Sequence, residues 1–187
     1  MTFITNGPGE MSLGTADRVA AVAEVKAALR VALADDDDLI AAFAEAALGL
    51  AERFLGRVLI VRPVAERLPA ARCWQTLGAA PVMAITAVSA VEGDTVTPLA
   101  VDAYAIDLDA EANGWIRVPA GSGVVEVSYQ AGWIGTWALI PAPVRQGIVL
   151  LAAHLYDQRD AAEPPPAAVT ALWRPFRATR LTRAVRT

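Results

Sequence analysis

The hydrophobic period changes twice along this chain. Up to Leu55 apolar residues recur every three or four positions, from Arg57 to Gly132 every second position, and from Pro141 onward every three or four again. Side chains repeat at 3.6 on a helix and at 2 on a strand, so neither an all-helical nor an all-strand fold accommodates this order. It predicts an α+β protein: an antiparallel helical bundle with an inserted small antiparallel β-sheet or sandwich, followed by an extended C-terminal arm.

The first helix is expected to start at Thr15, an N-cap residue with Asp17 in the first turn. Its stripe is Val22, Val25, Leu29 and Leu33. Four aspartates, Asp35 to Asp38, interrupt the apolar pattern. They lack the alternating ligands and central glycine of a calcium loop, and they suit the positive N-terminal end of the next helix. That helix spans 37–55, with Leu39, Phe43, Ala46, Ala47, Leu50 and Phe54 on its apolar face and Glu45, Glu52 and Arg53 off it. Gly56 ends it. The short connection makes the two helices an antiparallel pair.

Strands are predicted at 58–64, 72–77, 85–92, 95–99, 104–108, 114–118 and 124–130, punctuated by Gly93, Asn113-Gly114 and Gly121-Ser122-Gly123. In the last strand Val125, Val127 and Tyr129 share one face, and Val124, Glu126 and Ser128 the other. A third helix begins at Pro141 and Pro143 and carries Val144, Ile148, Leu151 and Leu155 as its stripe. Its Gly147 and Ala152 admit a close neighbour. Pro164, Pro165 and Pro166 form a stiff hinge, and a short helix over 167–173 follows, stopped by Pro175. The chain therefore divides into a flexible leader (1–14), a helical domain (15–163) with its β insertion at about 57–132, and a hinge with arm (164–187).

The residue inventory removes several functions. Cys73 is the only cysteine and His154 the only histidine, so an intramolecular disulfide and a cysteine or multi-histidine metal site are excluded. No apolar run approaches the ~20 residues of a membrane span. There is no phosphate-binding loop or dinucleotide fingerprint. His154 and Asp157 are three apart on the third helix, but no nucleophile is tied to them. Asp107, Asp109 and Glu111 alternate after a strand and read as a solvated strand end. The expectation is no catalytic residue, no metal and no cofactor.

The remaining candidates lie in tryptophans and arginines. Trp115, Trp133 and Trp137 stand on or near glycine-bearing loops; such aromatics either pack inward or anchor a protein interface. Trp133 and Trp137 are the interface-loop candidates. The last fourteen residues hold five arginines and no acid: Arg174, Arg177, Arg180, Arg183 and Arg186. The whole chain carries −4, and without those five charges residues 1–173 carry −9. Steps of three scatter side chains around an α-helix but align them on a polyproline II path. A cationic arm on an acidic body suits an acidic partner, or, alternatively, non-specific binding of nucleic acid through phosphate contacts.

The ordered set AEVKAALRV (23–31), DDDDLI (35–40), AERFLGR (51–57), YQAGW (129–133), PAPVRQGI (141–148) and HLYDQR (154–159) resembles the phage head–tail connector, or adaptor, family, including the adaptors of phage-like gene transfer agents. The leader and the arginine tail depart from the family pattern. The resemblance implies a ring of about twelve identical subunits below a portal protein. The ring would continue the channel for double-stranded DNA and offer a platform to a stopper or tail-completion protein. It also implies that the C-terminal segment docks on the portal; in this chain Trp173 and Phe176 are the expected apolar anchors and Arg174, Arg177, Arg180, Arg183 and Arg186 the expected charge partners. The hinge is expected to project 167–187 away from the body.

Overall fold

The computed structural model of the chain describes residues 2–4, 12–119, 123–158 and 163–178. The fold is α+β, as the change of period requires. In chain order the elements are β1 (Thr2–Ile4), α1 (Thr15–Leu29), α2 (Asp37–Leu55), β2 (Arg62–Pro69), β3 (Gln75–Thr76), β4 (Val82–Glu92), β5 (Thr95–Pro98), β6 (Ala105–Leu108), β7 (Gly114–Arg117), β8 (Val124–Ala131), α3 (Ala142–Asp157) and α4 (Ala167–Trp173). Within the segment expected to be a flexible leader, Thr2–Ile4 pairs in parallel with Val64–Glu66, because β2 would otherwise present an open edge.

Helix α1 stops earlier than its stripe suggests. Gly14 rather than Thr15 holds the N-cap position, and Arg30 turns left-handed at φ 58°. Leu33 therefore falls outside the helix and is 71% exposed. Helix α2 has the predicted bounds but a rotated face. Ile40, Ala41, Ala44, Ala47, Leu48, Ala51, Glu52 and Leu55 are buried, whereas Leu39 and Leu50 point outward. Alanines at 41, 44 and 51 let the neighbouring helices α1 and α3 approach closely, so small residues mark the contact instead of the larger leucines. In α3 the predicted stripe is correct: Val144, Ile148 and Leu151 are buried and Leu155 packs at its margin.

The β insertion is a two-sheet structure. One sheet runs β1-β2-β8-β4-β5 and the other β3-β7-β6. β8 is the centre of the larger sheet, antiparallel to β2 from Arg62–Ala131 to Pro69–Val124 and antiparallel to β4. Its alternation follows the sequence: Val125, Val127 and Tyr129 are buried. They join Val64 and Val88 of the same sheet, Ile116 of the smaller one, and Leu77 and Val118 just beyond its strands β3 and β7 in a second core. β2 begins at Arg62, not at Val58. The stretch 58–61 instead bonds irregularly to the exit of β8, with Val61 N–H donating to the Ile134 carbonyl (2.8 Å) and Ile134 N–H to the Leu59 carbonyl (2.8 Å). Gly132, at φ +148°, allows this crossing; a Cβ there would stand 2.4 Å from Val61 Cα.

The helical core and the sandwich core meet at one buried ion pair. Glu52, fully buried, accepts from Leu59 N–H (2.7 Å) and holds the Arg62 guanidinium in a fork at 2.8 and 2.7 Å. Glu52 was expected off the apolar face; it lies on it, because its charge is neutralised where α2 hands over to β2.

Candidate functional site

Most of the titratable candidates have partners of their own. Asp36 accepts from the Tyr156 hydroxyl. Asp37 pairs with Lys26 at 2.6 Å and Asp38 with Arg18 at 2.9 Å. Three of the four thus clamp α1 and α3 to the start of α2 instead of converging on one point. Among the described residues no group of three or more His, Cys, Asp or Glu side chains is placed to hold a metal. His154 sits half-buried with Nε2 3.3 Å from the Glu163 carbonyl, on the loop that leaves α3.

Asp109 builds a turn. It accepts from the backbone N–H groups of Glu111 (3.1 Å) and Asn113 (2.8 Å), from the Asn113 amide (3.0 and 3.1 Å) and from the Trp115 indole (3.0 Å). Partial burial pushes its carboxyl up, but these donors outweigh it and hold the group below the usual carboxylate range. That set of bonds also fixes Ala112 at φ 57° and turns β6 into β7.

A second buried carboxylate escaped the sequence reading. Glu66 on β2 accepts from Gly78 N–H (2.8 Å) and from the Tyr129 hydroxyl (2.9 Å), which in turn accepts from Ala79 N–H (3.2 Å). Burial raises the Glu66 carboxyl, opposed by those two donors. Burial, with the Glu66 charge beside it, raises the Tyr129 phenol. The signal in the sequence was its place on the period-2 pattern: Val64 and Glu66 share a face.

The interface candidates divide. Trp137 is buried to 1%. Its N–H donates to Asp17 (2.8 Å) and its indole to Glu24 (3.2 Å), fastening the loop before α3 onto α1. It is a core side chain and offers no surface to a partner. Trp133 remains 43% exposed, with the Arg57 guanidinium 5.0 Å above its ring.

The arm does not project from the hinge as far as it is described. α4 packs back on α3. Trp173 is buried to 3% over Gly147, and its indole donates to the Val144 carbonyl (3.0 Å). It therefore fills this chain's own core instead of standing free as an anchor, because a glycine on α3 leaves room for an indole. Phe54 stacks obliquely on Trp173 at 5.7 Å, Arg177 lies 5.7 Å over the Phe54 ring, and Ala178 N–H donates to the Leu55 carbonyl (2.8 Å). Phe176 is half-buried and packs against the same core, while Arg174 and Arg177 are exposed. Arg180, Arg183 and Arg186 lie outside the described residues.

The same architecture occurs in solved particles. A chain in the virion of a native gene transfer agent particle is 30% identical and superposes with a TM-score of 0.65, over 93% of this chain and 98% of that one. The chain belongs to the phage head–tail connector family. A chain in the neck of an empty gene transfer agent particle, computed with C6 symmetry, is 28% identical with a TM-score of 0.68. One in the neck of a native particle, computed with C12 symmetry, is 29% identical with a TM-score of 0.65. Both correspond over 93% of this connector and 98% of the other chain. No protein-family profile matches the connector, and no curated protein does. Among the described residues, no helix of the connector is long and apolar enough to cross a membrane.

Proposed function

We propose that this connector is a structural subunit of the neck of a phage-like particle. It forms a ring below the portal that joins capsid to tail and continues the DNA channel. The observation that carries the reading is the end-to-end correspondence with chains of gene transfer agent necks, which leaves 2% of those chains uncovered. The separately paired aspartates and the turn-building Asp109 support a role without chemistry. A body at −9 would keep passing phosphates from sticking.

In this reading the arm docks on the portal through Arg174, Arg177 and the arginines at 180, 183 and 186, with Phe176 beside them. Trp173 holds the root of the arm to the body. The opposite face receives a stopper or tail-completion protein, and assembly takes place in the bacterial cytoplasm. The test is a connector truncated after Ala178, supplied to assembling particles. The expected result is DNA-filled heads without tails, seen by electron microscopy, with the truncated chain missing from their mass spectra. Normal tailed particles that contain it would overturn docking through Arg180, Arg183 and Arg186.

A further inference from the structure

The two ends of α2 carry opposite charge. At its C-terminal end Arg53, Arg57, Arg174 and Arg177 converge, the last two brought there by Trp173 on Phe54 and by Ala178 on Leu55. None of the four has a carboxylate partner among the described residues. Arg57 lies over the exposed Trp133 ring and Arg177 over Phe54, and the Nε of Arg57 is shielded from solvent with no hydrogen-bond partner among the described residues. Arginine and tryptophan together, one part desolvated, are the composition of an interface centre.

At the other end stand Asp35, which has no ion pair among the described residues, and Asp38, whose carboxylate is fully exposed beside Arg18. Exposed Leu33 and Leu39 flank them. Each end therefore joins charge to apolar surface, and the two are complementary. One copy cannot bring them together, because nineteen residues of rigid helix hold them about 28 Å apart. A second copy can. A contact between two different patches of identical chains is heterologous, and when its rotation closes it makes a ring.

We propose that the Arg53–Arg57–Trp133 end of one copy seats on the Asp35–Asp38 end of the next, and that this contact closes the ring. The inference rests on the ring reading above. It assigns the subunit–subunit contact to residues that the docking arm does not need: Arg53, Arg57 and Trp133 on one side, Asp35 and Asp38 on the other.

The experiment reverses each end singly and then both. Arg53→Glu alone, or Asp35→Arg with Asp38→Arg, sets like charges face to face and should cut the number of necks containing connector at least about tenfold. The triple variant restores opposite charges and should return incorporation to within about threefold of wild type. Far-ultraviolet circular dichroism checks that each chain is folded. In a Cys73→Ser background, Asp38→Cys with Arg53→Cys should give a ladder of disulfide-linked oligomers in isolated necks. Normal incorporation of both single-end variants overturns the proposal. So does failure of the triple variant to recover, or the absence of cross-linked species. Failure of the ring reading looks different: wild-type connector would itself be missing from the neck.

Discussion

Glu52 and Arg62 place two full charges between two apolar cores, with Glu52 inaccessible and Arg62 nearly so. Such a pair contributes little against a hydrophobic substitute, but loss of one member leaves the other charged and buried. Glu52→Gln is expected to destabilise the fold by about 3–5 kcal/mol, measured by urea unfolding. A change under about 1 kcal/mol would mean that solvent reaches Arg62. Glu66 makes a pH prediction. Its folded-state carboxyl is raised from 4.5 by burial. Between 4.5 and the raised value the folded chain binds more protons than the unfolded chain, so stability falls as pH rises through that window. Glu66→Gln keeps an acceptor for Gly78 and Tyr129 and has no charge to bury. Relative to the variant, wild type should lose stability as pH rises above 4.5 through the raised folded-state value; parallel profiles would remove Glu66 as the cause.

At the scale of elements, α4 is seven residues long and is held by the buried side chains of Val169 and Trp173. An isolated helix this short does not persist in water; the Trp173 contact with Gly147 and Val144 supplies what the helix lacks. A Cβ on residue 147 would stand 2.2 Å from the Trp173 indole nitrogen. Gly147→Ala is therefore expected to displace α4 at a cost of about 1–3 kcal/mol. It should speed hydrogen exchange over 167–178 while α1 and α2 keep their protection. Uniform loss of protection would show that α4 unfolds together with the bundle. The same packing changes where the arm begins. Removing 174–187 takes away Arg177 over Phe54 and the Ala178–Leu55 bond, so the cut that spares the body falls after Ala178.

For the whole molecule, the acidic body opposes association of free chains, and the exposed contacts at the ends of α2 are screened by salt. Free connector at micromolar concentration is expected to be monomeric or a small oligomer by light scattering, and to form the ring on the portal. A tight closed ring without portal would show that the subunit contacts suffice alone.

From α1 onward the order of helices and strands, the bounds of α2 and α4, the inward face of β8 and the stripe of α3 could all be read from the sequence; β1, in the expected leader, could not. Period, proline and glycine act locally, and there they agree with the fold. The family, too, was legible in the ordered segments from AEVKAALRV to HLYDQR. What tertiary structure decided was the direction in which particular side chains face. Alanine carries too little hydrophobic contrast to mark the buried side of α2, so its true face emerged only against α1 and α3. Trp137 was ambiguous and Trp173 was expected to anchor on the portal, because their actual partners, Asp17 and Glu24 for one and Val144 and Gly147 for the other, are remote in the chain. A buried Glu52 or Glu66 looks like any surface carboxylate until Arg62 or Tyr129 is seen beside it. Local sequence sets which element forms, whereas the partner of a charge or an indole is fixed only when distant segments are brought into contact.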